Sequence, residues 1–69
     1  MAIVKVIEVL AQSDKGWEDA ARKAVREASE TVKGIKAVYV ENMQGVVENN
    51  EITAYRVNVK ITFEVETNR

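Results

Sequence analysis

The chain has no cysteine, no histidine and no proline. Without cysteine it has no disulfide, no thiolate metal site and no thiol nucleophile. Without histidine it lacks the usual zinc ligand and the usual general base, and with them every Ser-His or Cys-His catalytic arrangement. Three glycines and no proline leave little material for linkers. Gly16 and Gly34 form no phosphate-binding pattern. Neither sign of charge prevails: ten basic and eleven acidic residues give a net charge of −1. No basic stripe is present, so nucleic acid is not an expected partner. No apolar run approaches the roughly 20 residues that span a bilayer. The start, Met1-Ala2-Ile3-Val4-Lys5, carries a lysine inside the apolar run and no small-residue cleavage site, which does not fit a signal peptide. A cytoplasmic protein with no membrane partner is expected.

What is present is one small domain, residues 1–69. A chain this short usually needs a disulfide, a metal or a partner subunit to be robust. Subunit assembly is the device this composition leaves most open.

The hydrophobic pattern predicts an α+β fold of order β-α-β-β, a three-stranded antiparallel sheet wrapped around one helix. The first strand is Ile3 to Leu10, apolar in part on both faces. Ser13 is the expected N-cap of a helix whose apolar face is Trp17, Ala20, Ala21, Ala24, Val25, Ala28 and Val32. Glu18–Arg22, Asp19–Lys23 and Arg26–Glu30 pair across its polar face. Lys33-Gly34 is the expected stop.

The second strand is Ile35 to Val47, with Val38 and Val40 on one face and Ala37, Tyr39, Glu41 and Met43 on the other. Gly45 is a possible bulge or bend. A polar loop, Glu48-Asn49-Asn50-Glu51, leads to the third strand. There, from Thr53 to Val65, strict alternation buries Tyr55, Val57, Val59, Ile61 and Phe63. At roughly 3.3 Å per residue this strand spans roughly 45 Å, against roughly 30 Å for the predicted helix. The uncovered apolar face, placed near Phe63, predicts a homo-oligomer.

Three segments carry a family resemblance. They are Val4-Lys5-Val6-Ile7-Glu8-Val9, Ser13-Asp14-Lys15-Gly16-Trp17-Glu18, and the run from Tyr55 to Glu64. Together with length and element order they resemble the dodecins. The resemblance implies a hollow homododecamer with helices outside and sheet lining the interior. It also implies non-catalytic binding or storage of a small ligand. In flavin-binding dodecins a tryptophan at the start of the second strand stacks on the isoalloxazine. A glutamine after a tyrosine in the third strand hydrogen-bonds it. The matching positions are Ala37 and Arg56, both expected to face away from the helix. Losing the indole removes the stacking surface, and arginine removes an acceptor and adds a permanent charge. The chain looks closer to a branch that lacks the flavin tryptophan, has an early-helix tryptophan like Trp17, and is associated with calcium.

The candidate ligand-binding residues are therefore Ala37, Tyr39 and Arg56. Trp17 and Tyr55 are read first as packing residues. Arg56 has two readings: recognition of phosphate or carboxylate, or a salt bridge between subunits to Glu41 or Glu64. Candidate metal ligands are Glu41, Glu48 and Glu64, with Glu66 and the hairpin loop also eligible, since oxygen donors suit calcium. Symmetry about a threefold axis would triple any one carboxylate. Candidate ligands are calcium, a flavin (FMN or riboflavin, with Tyr39 stacking in place of the indole) and coenzyme A. A structural shell with no ligand, and an enzyme working on carboxylate, Lys or Tyr alone, are the remaining classes.

Overall fold

The computed structural model describes residues 3–65. The elements are β1 (Ile3–Ser13), α1 (Trp17–Ala28), β2 (Ile35–Glu48) and β3 (Glu51–Val65). They form one sheet of order β1-β3-β2, with both outer strands antiparallel to β3. β1 and β2 therefore run parallel, and α1 is the crossover between them, with the last strand filling the place in the middle.

The core is small. Ala20 and Ala24 of α1 lie on Val57, Val59 and Ile61 of β3, and all five are buried. Ile7, Val9 and Ala11 of β1 pack against them. Alanine at the contact lets the helix lie close to the sheet. Burying each of the three β3 side chains contributes about 1.5–3 kcal/mol.

The helix starts later than Ser13 predicts. Gly16 is the N-cap, and its carbonyl accepts the Ala20 N–H at 3.0 Å. Ser13 instead ends β1 and is buried. Its hydroxyl donates to Asp19 Oδ2 at 2.6 Å and accepts the Lys15 N–H at 2.9 Å. Ser13 thus ties the end of a strand to the first helical turn.

The helix also ends earlier, at Ala28 rather than near Lys33. Beyond it the chain must drop onto the sheet, where Ile35 pairs with Phe63. Gly34 makes that descent with φ 78°, and its carbonyl accepts the Glu64 N–H at 2.9 Å. Twelve helical residues span about 18 Å. The fifteen residues of β3 span roughly 50 Å. The overhang is larger than the sequence predicts, and it lies at the other end. Phe63 is half-buried and pairs with Ile35, while Met43, Val47 and Ile52, toward the β2–β3 turn, are 62%, 61% and 50% exposed.

β2 is bulged. Its register with β3 shifts between Ile35 and Ala37, between Val40 and Asn42, and between Val46 and Val47. Lys36 and Glu41 are extra residues of β2, and each reverses the face of the β2 residues that follow; at the third shift the extra residue is Thr53 of β3. The extra residue Glu41 turns Met43 to the helix side, opposite Val57. The sequence placed Met43 with Ala37 and Tyr39. Gly45 itself stays in register with Tyr55. The expected four-residue loop is a two-residue turn: Asn49 and Asn50 have φ 52° and 66°, the left-handed pair of a type I′ hairpin. Glu48 and Glu51 lie within the strands and pair with each other.

Candidate functional site

The face of the sheet turned away from α1 carries the candidate site. Paired residues in an antiparallel sheet share a face, so the register orders this face into rows. From one end they read Gln12–Arg56–Gln44, Leu10–Asn58–Asn42, Glu8–Lys60–Tyr39 and Val6–Thr62–Ala37. Successive rows are roughly 6.6 Å apart. Ala37, Tyr39 and Arg56 all lie on this face, as the sequence predicts. They do not converge. Ala37 pairs with Thr62, six residues along β3 from Arg56, a separation of roughly 20 Å. One protomer cannot bring both to one ring system; a ligand touching both needs two copies of the chain.

Arg56 is half-buried at the centre of its row. Its Nε donates to Gln12 Oε1 at 2.8 Å. Within the chain Arg56 pairs with neither Glu41 nor Glu64; the bridge expected was one between subunits. Glu41 instead lies 3.7 Å from Lys60 Nζ, and Glu64 lies 3.8 Å from Lys36 Nζ. Lys60 and Lys36 flank those carboxylates. Among the described residues Arg56 has no carboxylate within ion-pair distance. Its surroundings are amides: Gln12 and Gln44 beside it, Asn58 and Asn42 in the next row.

The three metal candidates are separate. Glu48 pairs with Glu51 at one end of β3 and Glu64 sits near the other, roughly 43 Å away along the strand. Among the described residues no three acidic side chains are grouped to hold a metal ion. Glu66 lies outside the described residues. Glu48 lies opposite Glu51, a repulsive arrangement for two unscreened carboxylates.

On the other side of the sheet, under Arg56, lie Tyr55 and Gly45. Trp17 sits against Tyr55. Its ring meets Tyr55 edge-on at 4.7 Å and 79°. Its Nε1–H donates to the Gln44 carbonyl at 3.0 Å. Both aromatics pack here, as expected. Beside this point the Ser13 hydroxyl holds the Asp19 carboxyl below its ordinary range. Partial desolvation opposes this, and Lys15, Arg26 and Lys23 reinforce it.

Gln12 and Gln44 are the residues that sequence reasoning missed. Ending β1 at Leu10 left Gln12 in a loop, and the Glu41 bulge hid the side on which Gln44 lies. The signal was the apolar period-two run Ile7, Val9, Ala11, which carries the strand past Leu10 and puts Gln12 on its other face.

The sheet, its order and its single crossover helix match a known architecture. A sequence model of the dodecin family matches residues 3–66. The chain belongs to the dodecin family. This dodecin is 29% identical over 65 residues to calcium dodecin of Mycobacterium tuberculosis, covering 94% of this chain and 92% of the relative. The crystal structure of the calcium-chelating calcium dodecin of that organism, which has a novel calcium-binding site, superposes with a TM-score of 0.81. It is 27% identical to this dodecin, covering 97% of this chain and 96% of the other. The dodecin of Streptomyces coelicolor superposes with a TM-score of 0.91 at 28% identity, with the same coverage. Among the described residues, no helix is long and apolar enough to cross a membrane.

Proposed function

We propose that this dodecin is a non-catalytic subunit of a hollow homododecamer that binds or sequesters a small ligand carrying an oxyanion. The ligand is held at Arg56 on the open face of the sheet, and no flavin stacks at Ala37. The observation that carries this reading is the state of the Arg56 guanidinium. A guanidinium has five N–H donors and no acceptor. Gln12 takes the Nε–H, which leaves the Nη groups for an outside partner. A phosphate or carboxylate fits their fork by two parallel charge-assisted hydrogen bonds. The neighbouring amides supply further donors without competing negative charge. Coenzyme A meets this description through its phosphates. Riboflavin does not, and Ala37 offers no stacking surface for it.

Titration calorimetry of the assembled protein with inorganic phosphate, coenzyme A, riboflavin and calcium tests the proposal. Wild type should bind phosphate or coenzyme A. Arg56→Ala should weaken that binding about 10- to 100-fold, the value of hydrogen bonds to a charged group. Binding of phosphate and coenzyme A that is unchanged in Arg56→Ala, or binding of riboflavin alone, would refute it.

A second reading has its own observation. Glu48 and Glu51 face each other across the type I′ turn, and a cation between them or their symmetry mates would relieve the repulsion. The relative named calcium dodecin supports calcium as that ion. Glu48→Gln should then abolish calcium heats while leaving phosphate binding as it was.

A further inference from the structure

We propose that Trp17 is the positioning residue of the Arg56 site, acting through the sheet from its opposite face. Trp17 touches both strands that carry the site. Its indole N–H bonds the main-chain carbonyl of Gln44, whose side chain flanks Arg56. Its ring braces Tyr55, the residue before Arg56 in the chain. Gly45, opposite Tyr55, has no side chain to occupy the helix side of β2 at this point. A Cβ there would make ordinary van der Waals contact with Ile52, at 3.5 Å.

β2 is an edge strand interrupted by register shifts on both sides of Gln44, after Val40 and after Val46. Such a short regular stretch at an edge is held weakly by its own ladder. The indole bond therefore sets the height and twist of the Gln44–Arg56 pair, and with it the direction of the guanidinium fork. Occupancy of the fork and order of the first helical turn become linked, because both share one main-chain segment.

The ligand arm of this proposal rests on the oxyanion reading of Arg56; the structural arm does not. Trp17→Phe keeps a ring against Tyr55 and removes the N–H. Hydrogen exchange of the assembled protein, read by mass spectrometry, should quicken about five- to tenfold over Gln44–Val46 and Tyr55–Val57, the loss of one hydrogen bond. Exchange over Val59–Phe63 should not change. Inorganic phosphate affinity should fall by a similar factor. Ile61→Val, a core control, should leave the exchange of the Gln44 segment and the phosphate affinity at wild-type values.

Wild-type exchange over Gln44–Val46 in Trp17→Phe overturns the proposal, as does a control variant with the same local effect. Unchanged phosphate affinity in a Trp17→Phe particle that exchanges faster also overturns it. Faster exchange in a protein whose wild type binds no phosphate supports the positioning role and refutes the oxyanion reading instead. Should Trp17→Phe not assemble, wild-type Trp17 emission during phosphate titration decides: a saturable change supports the link, and none at saturating phosphate refutes it.

Discussion

At the residue scale, the chemistry of this dodecin turns on which partner each polar side chain has found. Arg56 is fastened by an amide and keeps its outer donors; Glu41 and Glu64 are fastened by lysines. Ser13 was expected to cap a helix and instead holds Asp19. That bond has a consequence for pH. The Asp19 carboxyl titrates below its unfolded value in the folded chain, so its contribution is complete above the unfolded pKa of 3.8. It is lost as the pH falls below that value, through the depressed folded pKa. Ser13→Ala should move the Asp19 midpoint back toward its ordinary value, as followed by NMR of the carboxyl carbon. An unmoved midpoint would assign the depression to Lys15, Arg26 and Lys23.

At the element scale, periodicity in the sequence carried most of the structure. The alternation of β3 and the three-four spacing from Trp17 to Ala28 are strong local signals, and both held. Helix length and the faces of β2 beyond Glu41 were not legible. The apolar spacing continues through Val32, but the chain must reach the sheet at Ile35, and that tertiary demand ends the helix. The bulge at Glu41 leaves no mark in composition, yet it moves Met43 across the sheet. That Ala37, Tyr39 and Arg56 share a face was readable from alternation. The row Gln12–Arg56–Gln44 was not, because register between strands far apart in sequence is set by the assembled sheet. Gly34 offers a sharp test of the descent. Its φ is 78°, and a Cβ there would lie 2.8 Å from the Glu64 carbonyl oxygen. Gly34→Ala should destabilise the fold by about 2 kcal/mol or more, visible as a lower denaturation midpoint with an unchanged slope. An Ala variant as stable as wild type would mean that this turn relaxes freely.

At the scale of the whole molecule, a single chain does not bury enough. Its accessible surface is 5303 Å², while a compact monomer of 7.7 kDa exposes about 4,300 Å². The excess includes three apolar strips. Val4, Val6 and Leu10 lie on the open face of β1, Val38 and Val40 beside the helix, and Met43, Val47 and Ile52 toward the turn, all exposed. Native mass spectrometry should show twelve copies and no folded single chain at micromolar concentration. Leu10→Asp should break the particle into smaller species, because a carboxylate buried at a subunit contact has no partner. Lys33→Ala, on an exposed loop, should leave the particle whole. A folded, monodisperse single chain from wild type would remove the assembly from the account of function.

The strand at the centre of the sheet is the last of the three to leave the ribosome. β1 and β2 have no contact with one another in the ladder; each waits for β3. Until Glu51–Val65 has been made, a nascent chain has a helix and two unpaired apolar strands but no sheet for them to join. The three-stranded sheet is therefore complete only once β3 has been made. A chain interrupted before Tyr55 gains no partial reward, and it offers its bare strand edges to chaperones, to proteases, or to other unfinished copies.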